Sequence, residues 1–368
     1  MAKPAPGMRL LRSLTRAAKT QQKMVSRLLA ASKPKAQAKP KRKVAALRSP
    51  AALDIRKHER KETPIAPGKW LAAHIALPQQ PGQAPGRRMA YWLYLPDQPA
   101  PARGWPLIVM LHGCHQSATQ FAQGTRMNLV AEQKGYAVLY PQQLASAQSQ
   151  RCWRWYDQAT QQGGGDTALL AMLVAKVCEQ HGINRRRIYA CGLSAGAGMA
   201  AVLALNHPEL IAAVGLHSGP VFGAGHSTAG ALHVMRHGAA AHADAIHGVL
   251  RARAGFPGMP GLLMQGENDH VVHPVNQQQL TRQWLLLNGL PLSARPAVTS
   301  REATRSGSRH AHTIHDYAAG PRVVLRVASI AGLGHAWSGG DPDVTFHAAP
   351  GPDASRMMAA FFALHRRA

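Results

Sequence analysis

Ser194 lies in the run Cys191 to Met199, CGLSAGAGM, directly after the apolar stretch RRIYA. The run contains G-x-S-x-G, a pattern that sets a serine on a sharp strand-to-helix turn with its hydroxyl lifted above a parallel sheet. A serine held that way can attack an ester or amide carbonyl. The glycines answer a steric need, because the turn is too tight for a side chain and the next helix must approach the strand closely. The same residues also describe an ordinary small-residue turn with Ser194 as a helix N-cap. The strand Arg187 to Gly192 and the helix Ala195 to His207, stopped at Pro208, supply the setting that the nucleophile reading requires.

A serine hydroxyl needs a base to take its proton and an acid to orient that base. In a G-x-S-x-G protein these follow in the order serine, acid, histidine. After the strand GLLMQ comes GENDHVVHPVN, which places Asp269 just past a strand end. After VVLRVASI comes AGLGHAWSGG, which places His335 likewise, framed by Gly332, Gly334 and Gly339. Glu267 and Asp166 compete for the acid. Asp269 is better placed for a turn reaching His335, and Asp166 reads more simply as a helix N-cap. With 20 histidines, one after a strand is a cheap finding. His310, His312 and His315 read as surface loop residues, and His270 and His273 as lining the loop beside Asp269. The oxyanion of acyl transfer needs preorganised N–H donors. Ala195, next to the nucleophile, offers one; the loop after WPLIVML offers the other at Cys114, with His112 as a structural residue of that loop.

These groups demand a parallel sheet to carry them. From Thr63 onward strands and helices alternate. Arg88 to Leu95, Trp105 to Leu111, Ala137 to Tyr140, Ile188 to Leu193, Ala212 to Leu216, Gly261 to Gln265 and Val323 to Ile330 read as strands. Ala118 to Lys134, Asp166 to Gln180, Gln277 to Leu287 and Ala354 to Leu364 read as helices. Apolar strands alternating with helices predict an α/β fold with a mostly parallel central sheet covered on both faces. Gly223 to Gly255, rich in Ala, Gly and His, reads as an insertion over the top of the sheet.

The first 62 residues differ in kind. They carry 18 Lys and Arg against 3 Asp and Glu, a net +15 of the chain's +26. Met8 to Ala31 has helical periodicity, with Leu11, Leu14, Ala18, Val25 and Leu28 on one face and Arg9, Arg12, Arg16, Lys19, Lys23 and Arg27 on the other. Ser32 to Arg48 is a Lys/Pro/Ala-rich stretch expected to be disordered. The division is thus a basic extension over 1–62 and a catalytic domain over 63–368. A basic amphipathic helix suits an anionic or granule surface, and a solubilising tail with a transient helix fits as well. No aromatic interleaving or recognised module points to specific nucleic acid. Basic residues interrupt every apolar stretch, so no Sec signal is read. The expectation is a cytoplasmic or granule-associated protein, with an extracellular one as the alternative.

Taken together, LHGCHQSA, RCWRWYD, GLSAGAGMA, GENDHVVHPVN and GLGHAWSGG resemble, in order and spacing, the polyhydroxybutyrate depolymerase family of esterases, itself similar to feruloyl and acetylxylan esterases. The resemblance covers roughly Gly86 to His365. It implies an α/β-hydrolase fold, a Ser194–Asp269–His335 triad, an oxyanion hole from the Cys114 and Ala195 N–H groups, and no metal or cofactor. It implies an ester substrate, polyester or acylated saccharide. Trp153, Trp155 and Trp337 would line or border the cleft, with core packing as the alternative for each. One departure is that Gly196 is followed by Ala197 before Gly198, where the family's box often has a second glycine directly. Cys178 and Cys191 fall in a core helix and a core strand and are expected as buried thiols. Cys114 and Cys152 fall on loops near the site, and a disulfide between them is a hypothesis.

Overall fold

Residues 106–111, 137–141, 188–193, 213–217 and 261–266 are runs buried on both faces, as parallel strands sandwiched between helices must be. The computed structural model describes residues 66–76 and 88–368. In chain order its elements are β1 (Lys69–Ala76), β2 (Arg88–Leu95), β3 (Trp105–Leu111), α1 (Ala118–Thr125), α2 (Met127–Lys134), β4 (Ala137–Pro141), α3 (Gln158–Gln161), α4 (Gly165–Gln180), β5 (Ile183–Leu193), α5 (Ala195–Asn206), β6 (Ala213–His217), α6 (Thr228–His237), α7 (His242–Ala252), β7 (Gly261–Gly266), α8 (Val275–Leu287), β8 (Ala297–Arg301), β9 (His312–Ala319), β10 (Arg322–Ile330), β11 (Trp337–Ser338), β12 (His347–Ala348) and α9 (Ala354–Ala363). The basic extension, with its expected helix Met8 to Ala31 and the linker after it, lies outside the described residues.

The main sheet has ten strands in the order β1-β2-β4-β3-β5-β6-β7-β10-β9-β8. From β4 to β10 the neighbours run parallel. The outer pairs β1–β2, β2–β4, β10–β9 and β9–β8 are antiparallel. Period-two alternation divides the core. Leu107, Val109 and Leu111 of β3 pack with Leu169 and Leu173 of α4 and Leu203 of α5, while Ile108 and Met110 pack with Phe121 of α1, Val130 of α2 and Phe361 of α9.

The structure differs from the sequence reading in specific places. The expected helix Ala118 to Lys134 is two helices, broken at Arg126, whose φ of +53° is left-handed. A capping box between Ser117 and Gln120 starts α1. Asp166 is not an N-cap: Gly164 holds that position, and Asp166 lies fully buried in the first turn. Its Oδ2 accepts hydrogen bonds from Gln143 Nε2 at 2.7 Å and the Arg154 N–H at 3.1 Å, so it ties two loops together. His312 and His315 are not loop residues but belong to β9. The insertion Gly223 to Gly255 folds as α6 and α7. It packs beside the loop after β7, where the His273 N–H donates to the Met235 carbonyl at 2.8 Å.

Candidate active site

The carboxyl ends of parallel strands are where loops can bring distant residues together. Here β3, β5, β6, β7 and β10 deliver Cys114, Ser194, His217, Asp269 and His335 to that edge. Ser194 occupies the turn between β5 and α5 with φ +58° and ψ −121°, a conformation that non-glycine residues hold only under constraint. The constraint is visible. The Ser194 N–H donates to the His217 carbonyl at 2.9 Å, and the Ser194 carbonyl accepts the first helical bond from Gly198 at 3.0 Å. A Cβ on Gly192 would overlap the Leu111 carbonyl, and one on Gly196 would overlap the Leu111 and His112 carbonyls. The glycines of the pattern therefore let β5 and α5 press against the end of β3.

Asp269 and His335 meet. His335 Nδ1 lies 2.8 Å from Asp269 Oδ2, both side chains being almost wholly removed from solvent. Asp269 Oδ1 accepts from the Val271 and Val272 N–H groups, each at 2.9 Å, and Oδ2 accepts from Gln265 Nε2 at 3.0 Å. Burial pushes the Asp269 carboxyl up. The His335 charge and hydrogen bond, with the Val272 and Val271 N–H groups, outweigh burial and hold it below its ordinary value. An ionised Asp269 fixes the imidazole with its proton on Nδ1, leaving Nε2 as the basic nitrogen. The two loops are also stitched by backbone, since Glu267 N–H donates to Ile330 and Asn268 N–H to Leu333, each at 3.0 Å. Glu267 itself points outward and is exposed, and His270 and His273 are exposed as well. The Ser194 hydroxyl makes no hydrogen bond to His335 among the described residues. In unliganded sites this contact is commonly long.

In the loop after β3 and at the Ser194 turn, most backbone N–H groups are taken within the fold. Gly113 N–H is taken by Gln116 Oε1 at 2.8 Å. His115 N–H is taken by the Gln150 carbonyl at 2.7 Å, and Ser194 N–H by His217. Among the described residues the Cys114 and Ala195 N–H groups donate to nothing within the fold. A Cβ on Gly113 would sit 3.7 Å from Ser194 Cβ, so this loop lies against the serine. His112 braces it from below: Nδ1 donates to the Gly113 carbonyl at 2.8 Å and Nε2 accepts the Gln143 N–H at 3.1 Å. Complete burial pushes His112 down to about 4, so the ring is neutral and structural.

Cys114 and Cys152 form a disulfide, joining the loop after β3 to the segment that carries Trp153 and Trp155. Cys178 and Cys191 are buried thiols. Burial pushes Cys178 up to about 11 and Cys191 further, so neither is a nucleophile. The tryptophans fall to the core alternative. Trp153 and Trp337 have no exposed surface and Trp155 has 3%. Trp153 Nε1 donates to the His112 carbonyl at 3.1 Å, and Trp337 Nε1 to Ser355 Oγ at 3.2 Å. Their rings are spent on packing behind the site and offer no face to a substrate. Sequence reading missed three supporting residues. Gln116 ties Gly113 to the Thr345 carbonyl, Gln265 holds Asp269, and His217 sits at the end of β6. Only His217 carried a signal, being a histidine that closes a buried strand. Among the described residues no three His, Cys, Asp or Glu side chains converge as a metal site.

A family model described as Esterase PHB depolymerase matches residues 89–306, a stretch that includes Ser194 and Asp269 and stops before His335. Poly(3-hydroxyalkanoate) depolymerase C of Paucimonas lemoignei is 29% identical over 236 residues, 62% of this chain and 54% of that protein. Acetylxylan esterase A of Talaromyces purpureogenus is 30% identical over 189 residues, 48% of this chain and 48% of that protein. The chain thus spans about half the length of the curated relatives it matches. The solved acetyl xylan esterase from Aspergillus awamori superposes with a TM-score of 0.60 at 21% identity, covering 80% of this chain and 99% of that one. The fold is that of the α/β-hydrolase esterases.

Proposed function

The chain belongs to the PHB depolymerase family of esterases, and from that membership we propose that it is a serine hydrolase of carboxylic esters acting through Ser194, Asp269 and His335. The observation that carries this reading is the buried 2.8 Å pairing of His335 with an ionised Asp269 at the strand ends beside the Ser194 turn. His335 Nε2 takes the hydroxyl proton as Ser194 Oγ attacks the ester carbonyl. The carbonyl oxygen gains charge and is met by the Cys114 and Ala195 N–H groups, whose orientation is fixed before reaction. Asp269 stabilises the imidazolium that forms. The tetrahedral intermediate collapses, the alcohol leaves with the proton from His335, and Ser194 holds the acyl group. Water gives a proton to His335 and attacks the acyl carbonyl, releasing the acid and restoring the serine.

The acyl group is assigned first to 3-hydroxybutyrate polyester or its short oligomers. A second reading, acetyl or hydroxycinnamoyl esters of plant polysaccharide, is favoured by the likeness to acetylxylan esterase A. Ser194→Ala is expected to abolish hydrolysis of short-chain p-nitrophenyl esters with an unchanged circular dichroism spectrum; full activity in that variant refutes the proposal. A panel of polyhydroxybutyrate oligomers, methyl ferulate and acetylated xylan decides the acyl group. Turnover confined to the xylan or the ferulate replaces the first assignment by the second.

A further inference from the structure

We propose that His217 is a positioning residue that holds the Ser194 turn in register with the loop carrying His335. The inference rests on the triad reading above and concerns a residue outside it. His217 is the last residue of β6, paired with Leu193 of β5 on one side and Met264 of β7 on the other. It therefore lies between the strand that ends at the nucleophile and the strand that ends at the acid.

Two different parts of the residue make contact in two directions. Its backbone carbonyl accepts the Ser194 N–H at 2.9 Å, which is the bond that holds the strained serine in its turn. Its side chain reaches the other way. Nε2 accepts the Ser338 N–H at 3.4 Å, and the ring stacks on Trp337 with centroids 5.4 Å apart and 26° between the planes. Trp337 and Ser338 follow His335 by two and three residues, so the ring grips the base loop just after the base. Nδ1 lies 3.2 Å from Ser218 Oγ. With Nε2 accepting, the proton is on Nδ1 and points to that hydroxyl.

The ring suits this task because it is neutral. It has no exposed surface. Burial pushes it down to about 3, opposed by the Asp269 carboxylate and helped by the neighbouring His335 and His347 rings. A protonated ring would have two donors and no acceptor for the Ser338 N–H. The remaining bonds of that loop fasten it elsewhere. Ser338 Oγ donates to the Pro352 carbonyl at 2.6 Å, Trp337 N–H to Phe346 at 2.8 Å, and Trp337 Nε1 to Ser355. His217 is the link from these residues to the nucleophile's side of the site.

Misplacing reacting groups by ~1 Å can cost about 100-fold in rate. His217→Phe keeps a ring against Trp337 and removes the acceptor for Ser338. Its kcat on p-nitrophenyl butyrate is expected to fall about 10- to 100-fold with KM within about twofold of the parent. His217→Gln can place an amide oxygen near the Nε2 position, whereas His217→Asn is too short. The glutamine variant is expected to keep at least about tenfold more kcat than the asparagine variant at similar melting temperature. This pair decides the matter if the phenylalanine variant does not fold. Equal kcat in the glutamine and asparagine variants, or a phenylalanine variant within about threefold of the parent, overturns the proposal. Ser194→Ala, measured alongside, separates the two claims: an active alanine variant sinks the triad, while an inactive one with an unaffected His217→Phe sinks only the positioning role.

Discussion

Replacing Asp269 by asparagine tests the site through hydrogen-bond direction alone. Oδ1 of Asp269 accepts two backbone N–H groups, from Val271 and Val272. In Asp269→Asn that position must be taken by the amide oxygen, because an NH2 there would face two donors. The NH2 then falls where Oδ2 was, against His335 Nδ1 at 2.8 Å. It can only donate, so it selects the imidazole with its proton on Nε2. That nitrogen is the one that should take the serine proton, and it is now occupied. The protein should remain folded. The backbone bonds to Val271 and Val272 survive, and the single new conflict is with Gln265 Nε2, which also donates to the Val272 carbonyl at 2.9 Å. Losing or flipping that contact costs about 1 kcal/mol. The expected loss is about 10⁴-fold in kcat, near 5 kcal/mol of transition-state stabilisation. Pre-steady-state release of p-nitrophenol under single-turnover conditions measures it, with near-ultraviolet circular dichroism as the folding control. Glu267→Gln, at an exposed side chain of the same loop, should stay within about threefold. An Asp269→Asn variant within about tenfold of the parent, or a Glu267→Gln variant that is the inactive one, refutes the assignment of the acid.

Three further outcomes are expected. Burial pushes His112, His217, His347 and His365 down to about 4, 3, 4 and 4. Each folded-state value is below the unfolded one, so their stabilisation is whole above about pH 6.5 and is lost as pH falls toward 4, at about 1.4 kcal/mol per pH unit for each ring that titrates. Urea unfolding at pH 7.5, 6 and 5 should show stability falling with proton uptake on unfolding, and a flat profile contradicts it. Cys152→Ser releases the Cys114 loop and should lower kcat about 10- to 100-fold, since one oxyanion donor is worth about 10²- to 10³-fold. It should also cost about 4 kcal/mol of stability from the 38-residue separation the bridge closes; an unchanged kcat removes the Cys114 N–H from the oxyanion hole. A truncation beginning at Pro64 deletes the segment that carries +15 and should keep soluble-ester turnover while losing sedimentation with anionic vesicles. Unchanged sedimentation refutes a targeting role for the extension.

The centre of the sheet was legible because the fully buried stretches of its parallel strands read as apolar runs. The edges were not. β1 is apolar in composition but mostly exposed, and β8 is exposed throughout, so neither shows the pattern of a buried strand. The break at Arg126 was hidden because a single left-handed arginine between two helices leaves no mark in the sequence. In the candidate site, Ser194, Asp269 and His335 were legible as candidates because each follows a strand, and the structure brings Asp269 and His335 together. The tryptophans were misjudged because aromatic residues beside a site look the same in sequence whether they face the substrate or the core. Only burial and the bond from Trp153 to the His112 carbonyl separate the two. Asp166 was misjudged for a related reason. An acidic residue at a helix start suggests a cap, and its bonds to Gln143 and Arg154 come from loops more than ten residues away.

The neutrality of the surrounding histidines bears on how the site would generate rate. The chain carries a formal charge of +26, yet two rings beside the proposed triad, His112 and His217, are kept uncharged by complete burial. A cation at either position would partly cancel the Asp269 field and would repel the imidazolium that forms at His335. With both neutral, the negative field of Asp269 acts on His335 in a region of low dielectric, where a charge pair is worth more than in water. The interaction is weak while His335 is neutral and strong once it has taken the serine proton. Interactions that grow between ground state and transition state are the ones that accelerate a reaction. His217→Lys, if it folds, must either discharge its amine or raise the barrier, whereas a neutral replacement acts through position alone. A folded His217→Lys variant no slower than His217→Phe above pH 9, and markedly slower at pH 7, would show that charge beside Asp269 opposes catalysis.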